Sequence, residues 1–235
     1  MPWLLRVQRV WCAWRQQLSG TSPTEDDKMS VVAPRHGTEQ KTSAERILER
    51  AIEVINNSGE AAIRTNPIAF ECGVTPPILY RAFGSREGLV IAAQAERYRR
   101  STADSAEYLY RYIAEATSRE SLKENISNAL DFIFSDSRAA NRRLRAEVIG
   151  SAVSRPRLRE EITRIDREYA IEIAHAYQPA VEKGWIPRHL NLEVIAVWAQ
   201  GIVNMRLMVD DATDADLRRE WDSLSKAAIL DAVFG

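Results

Sequence analysis

The sequence predicts an all-α protein: three N-terminal helices in helix-turn-helix spacing, followed by a longer helical body. Three observations carry this. Apolar residues recur at helical spacing through almost every segment after residue 42. Ten glycines in 235 residues leave few positions for hairpin turns, and no stretch reads as a convincing strand or an internal repeat. Two short helices joined at Cys72-Gly73-Val74 follow a longer first helix. With 45% hydrophobic and 28% charged residues, neither a disordered chain nor a membrane protein fits.

Over residues 1–20, Trp3, Leu4, Val7, Trp11, Trp14 and Leu18 share one helical stripe with no acid among them, as in a membrane-surface helix. No apolar run there exceeds five residues, Val10 to Trp14, which excludes a secretory signal or a spanning helix. The alternative is that Met29 is the natural start and residues 1–28 are an upstream extension. Residues 19–41 are rich in Ser, Thr, Pro and Gly and read as a flexible arm, so residues 1–41 form an N-terminal extension.

Order begins at Thr42, which makes a capping box with Glu45. Ile47, Leu48, Ala51, Ile52, Val54 and Ile55 then recur with helical period until Asn56-Asn57-Ser58-Gly59. Thr65 is a good N-cap for a short second helix with Pro67 in its first turn, Ile68 and Ala69 inward and Gly73 supplying the left-handed turn. Thr75 caps the third. Pro76 and Pro77 sit in its first turn, where missing N–H groups cost little, and Ile78, Leu79 and Phe83 form its packing face. Gly84-Ser85 ends it and a fourth helix opens at Arg86.

Beyond Arg86 the stripes are Leu109 to Ala116, Leu122 to Ile133, Leu144 to Ala152 and Ile162 to Ala176, the last broken at Gly184 and Pro187. Leu192 to Val209 is apolar nearly all round, interrupted by Glu193, Gln200, Asn204 and Arg206, and such a helix requires burial on several sides. Ala215 to Phe234 is the last helix. The expected organisation is therefore 1–41 extension, 42–85 helix-turn-helix domain and 86–235 body.

Formal net charge is −1, which argues against a uniformly basic nucleic-acid binder. The charges are nonetheless uneven: residues 41–100 carry nine basic and seven acidic side chains, and residues 101–235 carry 18 and 22. A mildly basic front precedes an acidic body. Cys12 and Cys72 are too few for a disulfide scaffold and, like His36, His175 and His189, show no metal-ligand spacing, so no metal and no cofactor are expected and a reducing cytoplasm fits.

In helix-turn-helix geometry the second helix of the pair enters the DNA major groove and presents its N-terminal side chains to base edges. Arg81 is the only long cationic side chain on that helix and suits a bidentate contact to guanine. Thr75, Pro76 and Pro77 offer hydroxyl or apolar contacts, including to a thymine methyl. Thr65 either caps its helix alone or also offers its hydroxyl to a phosphate. In the arm, Arg35 and Lys41 reach a minor groove or phosphates, or stay unstructured.

The stretch from Thr65 to Leu89 closely resembles the DNA-binding signature of the tetracycline-repressor (TetR) family. The family pattern is Thr, then Ile-Ala, Gly-Val-Ser/Thr, Leu-Tyr, Phe and Lys/Arg-Glu before Leu; it is met here by Thr65, Ile68-Ala69, Gly73-Val74-Thr75, Leu79-Tyr80, Phe83 and Arg86-Glu87. Ala82 stands where the family usually has His and Cys72 where it usually has Ala, which bears on base-reading specificity. The strong resemblance covers about residues 42–90; beyond that it is architectural.

The resemblance implies a transcriptional regulator, most simply a ligand-responsive repressor, that binds double-stranded DNA at a palindromic operator as a homodimer. The alternatives are an activator and a helical sensing or interaction module without DNA binding. Tyr80 looks like the family's phosphate-contacting tyrosine, with its hydroxyl free, or is a simple core tyrosine. Arg86 resembles its basic phosphate clamp, or is a solvated arginine. By the same resemblance residues 86–235 bind an effector and dimerise through the last two helices, with Val194, Trp198, Ile202, Met205, Trp221, Leu224 and Ala228 at the interface. Tyr108, Tyr112, Phe132, Phe134 and Trp198 are candidates to line an apolar cavity for a small-molecule effector of apolar or aromatic character, with His175, Gln200 or Asn204 orienting it. No paired carboxylates, nucleophile-base pair or glycine-rich phosphate loop stands in the sequence, so no enzyme is expected, and no membrane partner.

Overall fold

Among the described residues, helix formation starts at the capping signal of Thr42 and Glu45. In the computed structural model, which describes residues 41–212 and 214–235, the Glu45 N–H donates to Thr42 Oγ1 at 3.2 Å and the Thr42 N–H to Glu45 Oε2 at 2.7 Å. This reciprocal pair satisfies two otherwise orphaned donors at the head of α1 (Ser43–Ser58), which buries Ile47, Ala51, Ile52 and Ile55 on one stripe. A 3-10 turn (Glu60–Ala62), which the sequence pattern did not suggest, leads to α2 (Thr65–Glu71) and α3 (Pro76–Phe83).

The next helix, α4, is one continuous element, Arg86–Ala114, that carries the expected start at Arg86 and most of the Leu109 to Ala116 stripe. Its start is tight. A Cβ on Gly88 would stand 2.0 Å from the Phe83 carbonyl oxygen, so only glycine lets α4 begin directly against the last turn of α3. The helix starts just after residue 85 and serves two cores: Leu89, Val90 and Ala93 join the α1–α3 core, whereas Ala95 and Tyr98 join a second core with Val148, Leu158 and Ile165.

The body continues with α5 (Arg119–Phe134), α6 (Ala139–Ala152), α7 (Pro156–Glu182), α8 (Leu192–Met205), α9 (Leu207–Asp210) and α10 (Ala215–Phe234). All the elements among the described residues are helical. α4 lies along α7 and α7 along α8, while α10 packs on α5 and α8. Together these helices enclose the largest core, which includes Ile126, Leu130, Ile173, Val203 and Ile229.

Leu192–Asp210 has the length, 19 residues, and the mean hydropathy, 1.4, of a membrane span. Its inner face is instead packed in this core, and the single helix expected to Val209 is interrupted at Arg206. Arg206 is 2% exposed and reaches Asp222 at 2.6 Å, Asp210 at 2.6 Å and Asp136 at 3.4 Å. Asp210 also receives Arg142 through two parallel N–H donors, at 2.9 and 2.5 Å. A charge inside a helical body survives only when paired and hydrogen-bonded; here four elements converge to do so.

Candidate functional site

The turn between α2 and α3 closes on itself. The Gly73 N–H donates to the Phe70 carbonyl at 3.0 Å and the Val74 N–H to the Ala69 carbonyl at 2.9 Å, with Gly73 at φ 65°. That positive φ strains any residue bearing a Cβ, so glycine sets the angle at which α3 leaves. Thr75 holds the N-cap position of α3 but its hydroxyl makes no capping bond. Pro76 and Pro77 have no N–H, and the Ile78 N–H is taken by the Thr75 carbonyl at 3.0 Å.

Leu79 anchors α3 in the N-terminal core with Phe83 packed against it, so the other face is outward. Thr75, Pro77, Tyr80 and Arg81 are exposed and Pro76 is half-buried. Among the described residues Arg81 has no hydrogen-bonding or ion-pair partner and projects from the outer face as a free cation.

Three expectations are corrected here. Thr65 is the first helical residue of α2 rather than its cap; Arg64 holds the cap position without a side-chain bond. The Thr65 hydroxyl lies 3.0 Å from the Tyr80 hydroxyl, so Tyr80 is neither free nor a simple core residue: it ties the start of α2 to α3. Arg86 turns toward the protein, donating to the Ile63 carbonyl and the Glu60 carbonyl, both at 2.9 Å, and so holds the 3-10 turn beneath α2. Lys41 is exposed, and Arg35 lies outside the described residues. The sequence reading missed Arg46, whose guanidinium reaches the turn at the Cys72 carbonyl, 3.4 Å away.

The body contains a cavity of about 50 Å³ enclosed by α4, α5, α7, α8 and α10, with Leu109, Ile173, Tyr177 and Val203 in its apolar wall. Ser105, Tyr169 and Gln200 are its polar contributors. Burial pushes the Tyr169 hydroxyl up to about 12. Of the candidates named from the sequence, Gln200 is the one that lines it. Tyr108 and Phe132 stack on each other with centroids 3.9 Å apart, Phe134 is ordinary core, and His175 is exposed. Tyr112 is half-buried beneath the Arg111 guanidinium, 5.4 Å from its ring centre. Trp198 stands on the outer face of α8, two residues out of phase with Gln200, and Asn204 accepts from Arg145 at 3.2 Å. The cavity wall on α8 is formed by aliphatic and small side chains, Ile195, Ala196 and Ala199, and not by the aromatic residues expected there.

A stripe of exposed apolar residues runs along α8 and onto α10. Val194 is 61% exposed, Met205 51% and Leu224 73%, with Trp198 beside them; Ile202, Trp221 and Ala228 are half-buried. Val197, Met208 and Leu217 extend the stripe beyond the residues anticipated.

Residues 47–93 match the family model of the bacterial regulatory proteins, tetR family. A structure assigned to the TetR-family transcriptional regulators from Rhodococcus sp. is 26% identical, with 82% of this chain and 98% of that chain covered and a TM-score of 0.50. Another so assigned, from Mesorhizobium loti, superposes at a TM-score of 0.58 with 17% identity, covering 82% of this chain and 97% of its own. The multidrug binding protein EbrR, complexed with imidazole, is 18% identical at a TM-score of 0.52, with 83% and 96% covered. None of the curated proteins matches the chain. The matched segment runs from within α1 to the first turns of α4, the same helices that build the outward face of α3, and over these residues the chain is similar to the tetR family of bacterial regulatory proteins.

Proposed function

We propose that this DNA-binding regulator is a ligand-responsive repressor that recognises a palindromic operator as a cytoplasmic homodimer. The observation that carries the reading is the outer face of α3, where Arg81 stands unpartnered next to the linked hydroxyls of Thr65 and Tyr80. A free guanidinium on a recognition helix pairs with guanine in the major groove, and a pair of hydroxyls retains one O–H to give to a phosphate. Thr75, Pro76 and Pro77 complete the base-facing end, and Lys41 and Arg35 are further candidates for contacts to phosphates or a minor groove. Arg86 contributes by holding the turn under α2.

One head offers few phosphate contacts, so affinity depends on two heads joined across a two-fold axis, and the apolar stripe on α8 and α10 suits that pairing. The cavity supplies a place for an effector whose binding shifts the spacing of the heads. Selection of bound duplexes from a random pool tests the reading. A short palindrome should emerge, bound with a steep salt dependence, and Arg81→Ala should cost about 1 to 3 kcal/mol at one base position. No enrichment of any sequence would defeat it.

A further inference from the structure

Four arginines in the described body and its junction are buried, Arg97, Arg142, Arg145 and Arg206. Three of them sit on carboxylates: Arg97 on Glu147, Arg142 on Asp210, and Arg206 on Asp210, Asp222 and Asp136. Arg145, 1% exposed, has no ion pair among the described residues. Its guanidinium is held by neutral oxygens alone: Ser105 Oγ at 2.7 Å, Ser101 Oγ at 2.9 Å, Asn141 Oδ1 at 2.9 Å and Asn204 Oδ1 at 3.2 Å. The nearest acid along this network is Asp104, which accepts from the Asn141 amide at 3.3 Å and is itself paired with Arg138 at 2.5 Å; Asp166 lies farther off and accepts from the Tyr98 hydroxyl at 2.9 Å. A buried cation without a counter-charge is costly, and dipoles offset only part of that cost.

This charge lies directly behind the cavity wall. Ser105 lines the cavity, and its oxygen accepts from Arg145 and also from Arg138 at 3.1 Å. Gln200, 7% exposed, lines the cavity one helical turn before Asn204, which accepts from Arg145, and its buried Nε2 makes no hydrogen bond of ordinary geometry, with the Tyr98 hydroxyl beside it. Arg138 Nε is a further buried donor without an acceptor, although its Nη1 reaches Asp104 at 2.5 Å. One end of an otherwise apolar cavity therefore carries a surplus of donors and positive charge. Every buried polar group without a partner calls for one.

We infer that the effector is an apolar carboxylate, its hydrocarbon part in the aliphatic cavity and its carboxyl group at the Ser105 and Gln200 end, with Arg145 as the counter-charge. This rests on the reading of the cavity as an effector site. The carboxylate accepts from the Gln200 amide and the Ser105 hydroxyl and supplies the negative charge that the network lacks, the arrangement in which charge-assisted hydrogen bonds are strongest. A neutral ligand of the same shape fills the hydrophobic wall but leaves the donors unmet; a cationic one is repelled.

The test uses the full chain and short straight-chain carboxylates from propanoate to pentanoate, sized to the cavity of about 50 Å³, each matched to the alcohol of equal length, read by thermal shift and calorimetry. The best carboxylate should bind at least tenfold tighter than its alcohol. Arg145→Met should abolish that preference while alcohol binding persists, and Gln200→Leu, which keeps the buried charge network, should weaken the carboxylate at least threefold without weakening the alcohol. Alcohols binding as well as the acids would overturn the ligand class and leave effector sensing intact. If neither series binds, the inference is overturned. Carboxylates that bind tightly but leave a selected operator duplex bound would uphold the ligand class and sink the sensing reading instead.

Discussion

Glu60, in the turn before α2, and Arg155, just ahead of α7, are joined at 2.8 Å between Oε2 and Nη2. The same carboxylate accepts from Ser151 at 2.5 Å and from Gln94, and Arg155 also reaches Glu87 at the head of α4 at 2.6 Å. The DNA-binding helices are thus tied to α6 and α7 by one shared carboxylate. That carboxylate carries a pH dependence. Burial alone would raise the Glu60 value, but the Ser151 and Gln94 hydrogen bonds and the Arg155 charge outweigh it, so the carboxyl is held below the ordinary range. A depressed folded-state value adds stability that is complete above the unfolded-state value and is lost as pH falls through the folded one. Glu60→Gln should lower stability by about 1 kcal/mol near neutral pH, and the wild type should lose that advantage below about pH 4.5. Urea unfolding of both proteins across this range checks it; parallel curves at every pH would refute it.

The exposed Thr65–Tyr80 hydroxyl pair links α2 to α3 and, on the proposed function, also gives a hydrogen bond to DNA. Tyr80→Phe is expected to weaken operator binding by about 1 kcal/mol, roughly fivefold, while shifting stability by less than about 0.5 kcal/mol. Thr65→Val should do the same, and the double variant should bind no worse than either single one. Fluorescence anisotropy with a labelled operator gives the comparison.

Asp210 is shared by Arg142 and Arg206, and both side chains of the Arg142 pair are fully buried. Asp210→Ala leaves two buried guanidinium groups short of their acid. A destabilisation of about 3 to 5 kcal/mol is expected, visible as a large fall in the denaturation midpoint with helical content retained at low denaturant. A loss under about 1 kcal/mol would mean that Asp222 and Asp136 suffice for Arg206 and that the carbonyls of Ile133 and Ser135 suffice for Arg142.

Leu224 is exposed on the single chain and lies in the stripe proposed to pair across the dimer axis. Leu224→Glu places a charge there that a pairing surface cannot solvate. Sedimentation at micromolar concentration should show a monomer with helicity unchanged, and operator affinity should drop by more than tenfold as the second head is lost.

Much of the N-terminal domain was legible without coordinates, because its determinants are local. The Thr42–Glu45 capping box, the glycine turn at Gly73 and the paired prolines at the head of α3 each depend on residues within about one helical turn. Less local details are not legible in this way: Thr65 suits a cap by residue type, yet its hydroxyl meets Tyr80, fifteen positions away. The cavity was legible only in Gln200, since which aliphatic side chains face inward depends on the rotation of five helices about one another.

The sequence alone determined that this is a helical protein with a helix-turn-helix near its front and an apolar pair of helices at its end. Helix period, caps and turn glycines are written in neighbouring residues, and hydrophobic burial is strong enough to enforce them. Only the tertiary structure decided which of its arginines are inside and what each one meets there. Arg142 and Asp210 are 68 residues apart, and a buried charge is tolerated or not according to what distant helices bring within hydrogen-bonding distance. The same packing that gave Arg142 and Arg206 their carboxylates left Arg145 with none, and placed it behind the wall of a cavity.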